Sequence, residues 1–294
     1  MALQLELDRF ISGERFQALA DISLIPLGSE VGEKEFYFVK EQQKNNNYKV
    51  FYYDENTKSL PDEVHSARTL FVNTWTLRKF FNIVFPLLKN NHVFISHNSD
   101  MALEPEHVIY LDDKRVIRWF SQNAYLQHPK LVALPIGLGN QQYPHGNLQL
   151  LNSLVTGIIE KNGLVFKNFD VNTNRAVRSK IDVITSQNGI MMSFSMKQDL
   201  YFKMLSSSVF CISPPGNGVD CHRIWECLYL KTIPIVEYHP GFIQFQHLPI
   251  LFIKDWNEVT ISSLRSKINM MHRFFLDIKE LNMQYWKQLI YDYY

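Results

Sequence analysis

Residues 209–237 read VFCISPPGNGVDCHRIWECLYLKTIPIVE, and the succession of residue types in this stretch decides the fold. An apolar run, Val209–Ser213, meets Pro214-Pro215 and then Gly216-Asn217-Gly218. Asp220 opens a helical pattern that reaches Leu230, with Ile224, Trp225, Leu228 and Tyr229 at core positions, and Ile233–Val236 is apolar again. Strand, glycine turn, helix and strand within roughly 30 residues make one βαβ unit with parallel strands. A glycine-bracketed turn at a helix start lets the backbone approach a ligand closely. Free N–H groups and the helix dipole favour an anion there, such as a diphosphate. Arg223, in the first turn, can add a charge-assisted fork to the same phosphates. Glu226 shares its helix face and lies about 9 Å along the axis from Asp220, a reach that suits a ribose hydroxyl. Gly-x-Gly after a strand also serves as a plain tight turn, and Arg–Glu at i, i+3 as a plain surface ion pair. Both readings stand at this level. The stretch carries neither a Walker loop nor the G-x-G-x-x-G fingerprint.

Outward from this unit the same rhythm continues. Toward the C-terminus, Ile250–Ile253 reads as a short strand, and Ile261–Met271 and Arg273–Tyr291 as helices. Toward the N-terminus, Leu148–Lys161 and Met196–Ser206 read as helices around a strand at Leu164–Phe169. Before the Gly- and Asn-rich segment Gly137–Gly146 the alternation starts again. Phe16–Pro26, Thr69–Asn73 and His92–Ser96 are expected strands, and Thr76–Leu88 an amphipathic helix. Val108–Leu111, Val116–Phe120 and Leu131–Ile136 are further short apolar segments. Residues 33–57 are largely polar and read as a mobile excursion or a short ribbon, Phe36–Val39 and Lys49–Tyr53, rather than core. Alternating strands and helices predict an α/β chain with mainly parallel sheets. The expected division is residues 1–145, residues 146–270, and a terminal helical segment, 271–294, packing back on the first domain.

Composition narrows the function. The 294 residues are 46% hydrophobic and 20% charged, enough to bury a large core. Thirty Lys and Arg against 29 Asp and Glu leave a net charge of +1, without the basic excess of a nucleic-acid binder. Cys211, Cys221 and Cys227 are too few and irregularly spaced for a disulfide framework, which points to a reducing compartment. Charges break the N-terminal stretch, and Phe80–Leu88 is far shorter than the about 20 residues of a membrane span. The expectation is a soluble, cytoplasmic chain. No Asp-x-Asp occurs, so Asp112-Asp113 reads as a solvated turn and no metal site is expected.

The string SPPGNGVDCHRIWECLYLKTIPIV resembles the signature of exostosin-like glycosyltransferases, Ser-Pro-x-Gly-x-Gly-x-Asp-x-x-Arg-x-Trp-Glu followed by Pro-Ile-Val. SHNSD (96–100), WFSQN (119–123), LPIGLGN (134–140) and NTNRAVR (172–178) extend the likeness, in order, over about residues 69–255. It is closest to short forms from microbes and large DNA viruses, including viral xylosyltransferases of capsid-glycan synthesis. Lys231 departs from the family's usual glycine. The resemblance implies two Rossmann-like domains facing a cleft, the GT-B architecture, with the donor in the C-terminal half and the acceptor in the N-terminal half. It implies inverting transfer from a UDP-sugar, xylose first, to a glycan hydroxyl, with no cofactor beyond the donor substrate. On the donor side it places Arg178, Pro214, Gly216, Asn217, Gly218, Asp220, Arg223 and Glu226.

Ligand crevices of open parallel sheets lie beyond the strands' carboxyl ends. His97, Asn98 and Asp100 follow one expected strand, and Gln122 and Asn123 another. Inverting transfer needs a base; Asp100, His97 and Glu30 are the candidates, though His97 and Asn98 could merely satisfy a turn. Gln122 and Asn123 could bond sugar hydroxyls, and Trp119 could stack on a pyranose or lie in the core. Arg178, with Arg175, either neutralises a diphosphate or belongs to an exposed basic turn. A non-catalytic carbohydrate-binding protein of the same fold is the rival reading.

Overall fold

The computed structural model describes residues 7–28, 49–143, 145–157, 160–275 and 277–293. Glu30 and Phe36–Val39 lie outside these residues. The chain forms two compact units, Ile11–Gly146 with Met283–Tyr294, and Asn147–Asn282 with the described part of Met1–Phe10. Each is a Rossmann-like α/β unit on a parallel sheet.

The unit of residues 11–146 begins with helix α1 (Gly13–Gln17), then strands β1 (Ile22–Pro26) and β2 (Lys49–Tyr53). Next come α2 (Asp62–Ser66), β3 (Thr69–Asn73), α3 (Leu77–Ile83), β4 (His92–His97), α4 (Val108–Leu111), β5 (Val116–Gln122) and β6 (Leu131–Leu134). The sheet order is β2-β1-β3-β4-β5-β6, every neighbouring pair parallel. β1, β3 and β4 are buried along their whole length, because helices cover both faces of a parallel sheet and leave no polar alternation. Phe80, Phe81, Phe85, Phe94 and Trp119 fill one face, with ring centroids 4.9 to 6.4 Å apart in the contacting pairs.

Three expectations change here. Phe16–Pro26 is not one strand: α1 runs to Gln17 and β1 starts at Ile22. An apolar run alone does not separate a buried strand from a buried helix end; the Phe16 ring stacks on the His97 ring at 5.3 Å. Val108–Leu111 is a helical turn following a 3-10 turn whose first residue is Pro105, where a missing N–H costs nothing. Lys49–Tyr53 is a parallel partner of β1.

The second unit contains α5 (Leu148–Val155), β7 (Gly163–Phe166), α6 (Arg175–Gln187), α7 (Gln198–Ser206), β8 (Ser208–Ile212), α8 (His222–Tyr229), β9 (Ile233–Glu237), β10 (Leu251–Ile253) and α9 (Ile261–Ser266). Its sheet, β10-β9-β8-β7, is again parallel throughout. Phe210, Ile212, Ile233, Ile235 and Leu264 form the centre of its core. Two lysines, Lys167 buried and Lys161 half-buried, are committed to structure. Lys167 pairs with Asp182 at 2.7 Å and donates to two carbonyls and Ser186. Lys161 donates to Ser206 O, Leu230 O and Thr232 Oγ1, where the ends of α7 and α8 leave carbonyls unpaired.

The expected helix Arg273–Tyr291 is broken into a 3-10 stretch Ile268–Phe275, a 3-10 turn Lys279–Leu281 and helix α10 (Met283–Tyr291). The break falls where the chain passes from one unit to the other. Tyr229 donates to Leu281 O at 2.6 Å, whereas Trp286 of α10 meets Phe16 edge-on at 5.8 Å. Among the described residues no helix is long and apolar enough to cross a membrane.

Candidate functional site

In the 147–282 unit, β8 is followed by Ser213, whose N–H donates to Ile235 O at 3.0 Å. The loop that follows turns tightly, with Gly216 N–H donating to Gly218 O at 3.0 Å. Its outer rim is held from α6 and the 3-10 turn before it. Arg178 Nε donates to Pro215 O at 2.9 Å and Nη1 to Asp170 O at 2.7 Å. Asn174 Nδ2 donates to Gly216 O at 2.8 Å. A Cβ on Gly216 would sit 3.4 Å from Arg178 Nη2, so that nitrogen faces the loop. Pro214 and Gly218 are buried and Asn217 is exposed at the tip.

The helix after the loop begins at His222, two residues later than expected, with Cys221 at the cap and no side-chain cap bond. Asp220 lies one residue before the cap. Its carboxylate accepts Trp225 Nε1–H, at 2.9 and 3.1 Å to the two oxygens, which fixes the loop to the buried indole. Glu226 is buried rather than on a solvated face, and accepts the Tyr201 hydroxyl at 2.9 Å; burial pushes its carboxyl up. Arg223 has a buried Nε with no hydrogen-bond partner among the described residues. Burial first, then the charge of Arg223, holds the Arg178 guanidinium below its ordinary value. Arg178 thus feels the charge of Arg223, and Arg223 in turn feels that of Glu226, beside the loop at the carboxyl edge of the sheet. An anion with several acceptor oxygens would relieve both the repulsion and the orphaned donor.

In the 11–146 unit the sequence candidates cluster at the exits of β4 and β5. His97 is buried, with Nε2–H donating to Pro135 O at 3.0 Å and Nδ1 accepting Asn98 N–H at 2.7 Å. With both ring nitrogens engaged, it holds the strand exit in place. Asn98 (φ 63°) donates from Nδ2 to Gln17 Oε1 at 3.0 Å and accepts from Asn140 Nδ2 at 3.3 Å. Gly13 passes so close that a Cβ there would lie 2.0 Å from Asn98 Oδ1 and 2.7 Å from His97 Nδ1. Asp100 is exposed, and its carbonyl accepts Asn123 Nδ2 at 3.3 Å. Among the described residues, Gln122 Oε1 and Asn123 Oδ1 are buried without a hydrogen-bond partner.

Trp119 is corrected from stacking candidate to core. It is 1% exposed and donates to Ser96 Oγ at 2.8 Å, because side chains on adjacent strands at that register share the inner face. Glu14 was missed. It is buried, accepts Gln141 N–H at Oε2 (3.1 Å), and has a buried Oε1 with no partner among the described residues. Burial pushes its carboxyl up to about 7, against the opposing pull of the Gln141 N–H and Arg15. Nothing in the local string Gly13-Glu14-Arg15 announces this, since its partner lies 127 residues away. Asp113 is bound by Arg115 at 2.8 Å and Asp112 by His128 at 3.1 Å.

No family model matches the chain, and no curated protein matches it. Solved structures similar to it include the glycotransferase of kitacinnamycin, 10% identical over 92% of this chain and 98% of that one, with a TM-score of 0.44. An α1,3-fucosyltransferase is 10% identical over 86% of this chain and 78% of its own, with a TM-score of 0.43. A UDP-forming α,α-trehalose-phosphate synthase from Burkholderia xenovorans is 12% identical over 76% and 73%, with a TM-score of 0.41.

Proposed function

We propose that this chain is a GT-B, exostosin-like glycosyltransferase that moves a sugar from a UDP-sugar to a glycan hydroxyl with inversion. Xylose is the first donor sugar to test. The observation that carries the reading is the pair Arg178 and Arg223 beside the Pro214–Gly218 turn, with an orphaned Nε on Arg223. A diphosphate supplies acceptor oxygens for the unpaired Arg223 Nε and for the Arg178 Nη2 that faces the turn. In the reaction, the acceptor oxygen attacks the anomeric carbon from the face opposite the diphosphate. The carbon–oxygen bond to UDP breaks, the hydroxyl proton passes to a base, and the negative charge collects on the diphosphate. Arg178 and Arg223 are there to stabilise that charge as it grows. Asp100, exposed at the exit of β4, is the proposed base. Its proton affinity in the ground state matters little, because the hydroxyl becomes acidic only as the new bond forms.

Two variants test binding and chemistry separately. Arg223→Ala is expected to weaken UDP binding by about tenfold or more in calorimetry, the scale of a charge-assisted contact. Asp100→Asn is expected to bind UDP normally and lose about 10²-fold or more in transfer. An unchanged UDP affinity in folded Arg223→Ala removes the donor site from this loop. Full turnover by Asp100→Asn moves the base elsewhere, with Glu14 the next residue to substitute.

A further inference from the structure

Five tryptophans are present, and the structure treats one of them differently. Trp119, Trp225, Trp256 and Trp286 are between 0% and 4% exposed; Trp75 is 64% exposed. It does not sit on a loose loop. It lies in the 3-10 turn Thr74–Thr76 that leaves β3, and Asn73 Oδ1 accepts its backbone N–H at 2.9 Å. Thr76 Oγ1 donates to Asn73 O at 2.9 Å. Two more bonds tie the turn to the next strand exit: Asn73 Nδ2 to Asn98 O at 3.0 Å, and Thr74 Oγ1 to His97 O at 3.3 Å. Asn73, Thr74 and Thr76 are buried. The backbone is pinned from three sides while the largest apolar side chain is held outward.

Its place in the topology matters. In the order β2-β1-β3-β4-β5-β6, β1 has β2 on one side and β3 on the other, so the winding reverses between β1 and β3. Ligands of open parallel sheets bind outside the carboxyl ends of strands at such a reversal. Trp75 is two residues beyond the carboxyl end of β3. The adjoining exit of β4 carries the exposed Asp100. An outward aromatic face on a pinned backbone, beside the exposed carboxylate of Asp100, matches a ligand with C–H groups on its faces and hydroxyls around its edge. An indole face is electron-rich and attracts polarised C–H groups.

We propose that the Trp75 indole is the stacking platform of an acceptor subsite that takes a pyranose ring of a neutral glycan. The inference rests on the transferase reading and names the acceptor class for it. Trp75 is a binding residue here and takes no part in the proton transfer.

Acrylamide quenching of tryptophan fluorescence in the full chain tests this, because the other four indoles are buried and Trp75→Ala identifies its own signal. Xylotetraose, cellotetraose and mannotetraose are the probes, each with and without UDP. At least one is expected to shield the quenchable fraction in the wild type and to do nothing in Trp75→Ala. In transfer assays Trp75→Ala is expected to raise the acceptor KM by about tenfold, with UDP affinity unchanged and Trp75→Phe close to wild type. With UDP bound normally, absence of shielding and an unchanged acceptor KM overturn the platform. Shielding by UDP alone makes Trp75 a nucleobase contact and also overturns it. Leu27, just beyond β1, and Tyr52, on β2, are exposed apolar residues of the same sheet, so protein concentration is varied as well. Shielding that grows with concentration makes this edge a subunit interface and removes the glycan. If wild-type chain binds no UDP yet an oligosaccharide shields Trp75, the transferase reading fails and the platform stands.

Discussion

At the scale of single residues, Glu14 makes the sharpest statement about pH. Its ordinary value is 4.5 and burial lifts it to about 7. A carboxyl raised by folding stabilises the folded chain below the lower value, and that contribution is lost as pH rises through the higher one. The separation is worth on the order of 3 kcal/mol. Wild-type stability is therefore expected to carry a downward component between about pH 4.5 and 7. Glu14→Gln should lack it, because the amide oxygen can still accept Gln141 N–H and no charge is buried. Urea unfolding at pH 5 and pH 8 checks this; parallel pH profiles for the two proteins would place the ionisation elsewhere. Glu14, Trp75 and Trp119 also mark the limit of reading residues from sequence. Which tryptophan faces solvent depends on strand register, and which carboxyl is desolvated depends on a partner segment near residue 140. Arg223 and Trp225 were legible because the whole βαβ unit that positions them is local.

At the scale of elements, α8 and α10 behave differently. The α8 pattern follows from its own sequence: Ile224, Trp225, Leu228 and Tyr229 are all buried, as their spacing predicts. Asp220 and Glu226 escaped that reading, since each is claimed by a buried donor, Trp225 Nε1–H and the Tyr201 hydroxyl. Helix α10 takes its place from contacts far away in the chain. Trp286 is 2% exposed against Phe16, Ile290 is fully buried, and Tyr293 lies 6.0 Å from the Phe120 ring. Trp286→Ala should cost about 3–5 kcal/mol, the range for emptying a large buried aromatic site. Chemical denaturation measures it. A loss below about 1 kcal/mol would mean that the site collapses around the gap or that α10 is dispensable to its unit.

At the scale of the whole molecule, the chain passes between its two units at 10/11, 146/147 and 282/283. Each unit therefore contains residues distant in sequence. A ligand that binds only the folded form raises stability by mass action, by about 2.7 kcal/mol at a hundred times its Kd. UDP is expected to raise the melting temperature, and in hydrogen exchange to protect residues 213–223 and 170–178 before any part of the 11–146 unit. Protection confined to the other sheet would transfer the donor site to that unit.

The sequence by itself determined the α/β class, the parallel strands, the glycine turn at 216–218 and the arginine that follows it. Those features are carried by the residue periodicity within single elements and by the succession of elements within a span of roughly 30 residues. The tertiary structure decided the rest: α1 in place of the start of a strand, the buried roles of Asp220 and Glu226, the lifted Glu14, and the outward Trp75. Each of these is set by burial and by hydrogen bonds between segments remote in the chain, such as Glu14 to Gln141 and Asn98 to Gln17. Desolvation and pairing are properties of the assembled interior, and no local pattern of residues encodes them.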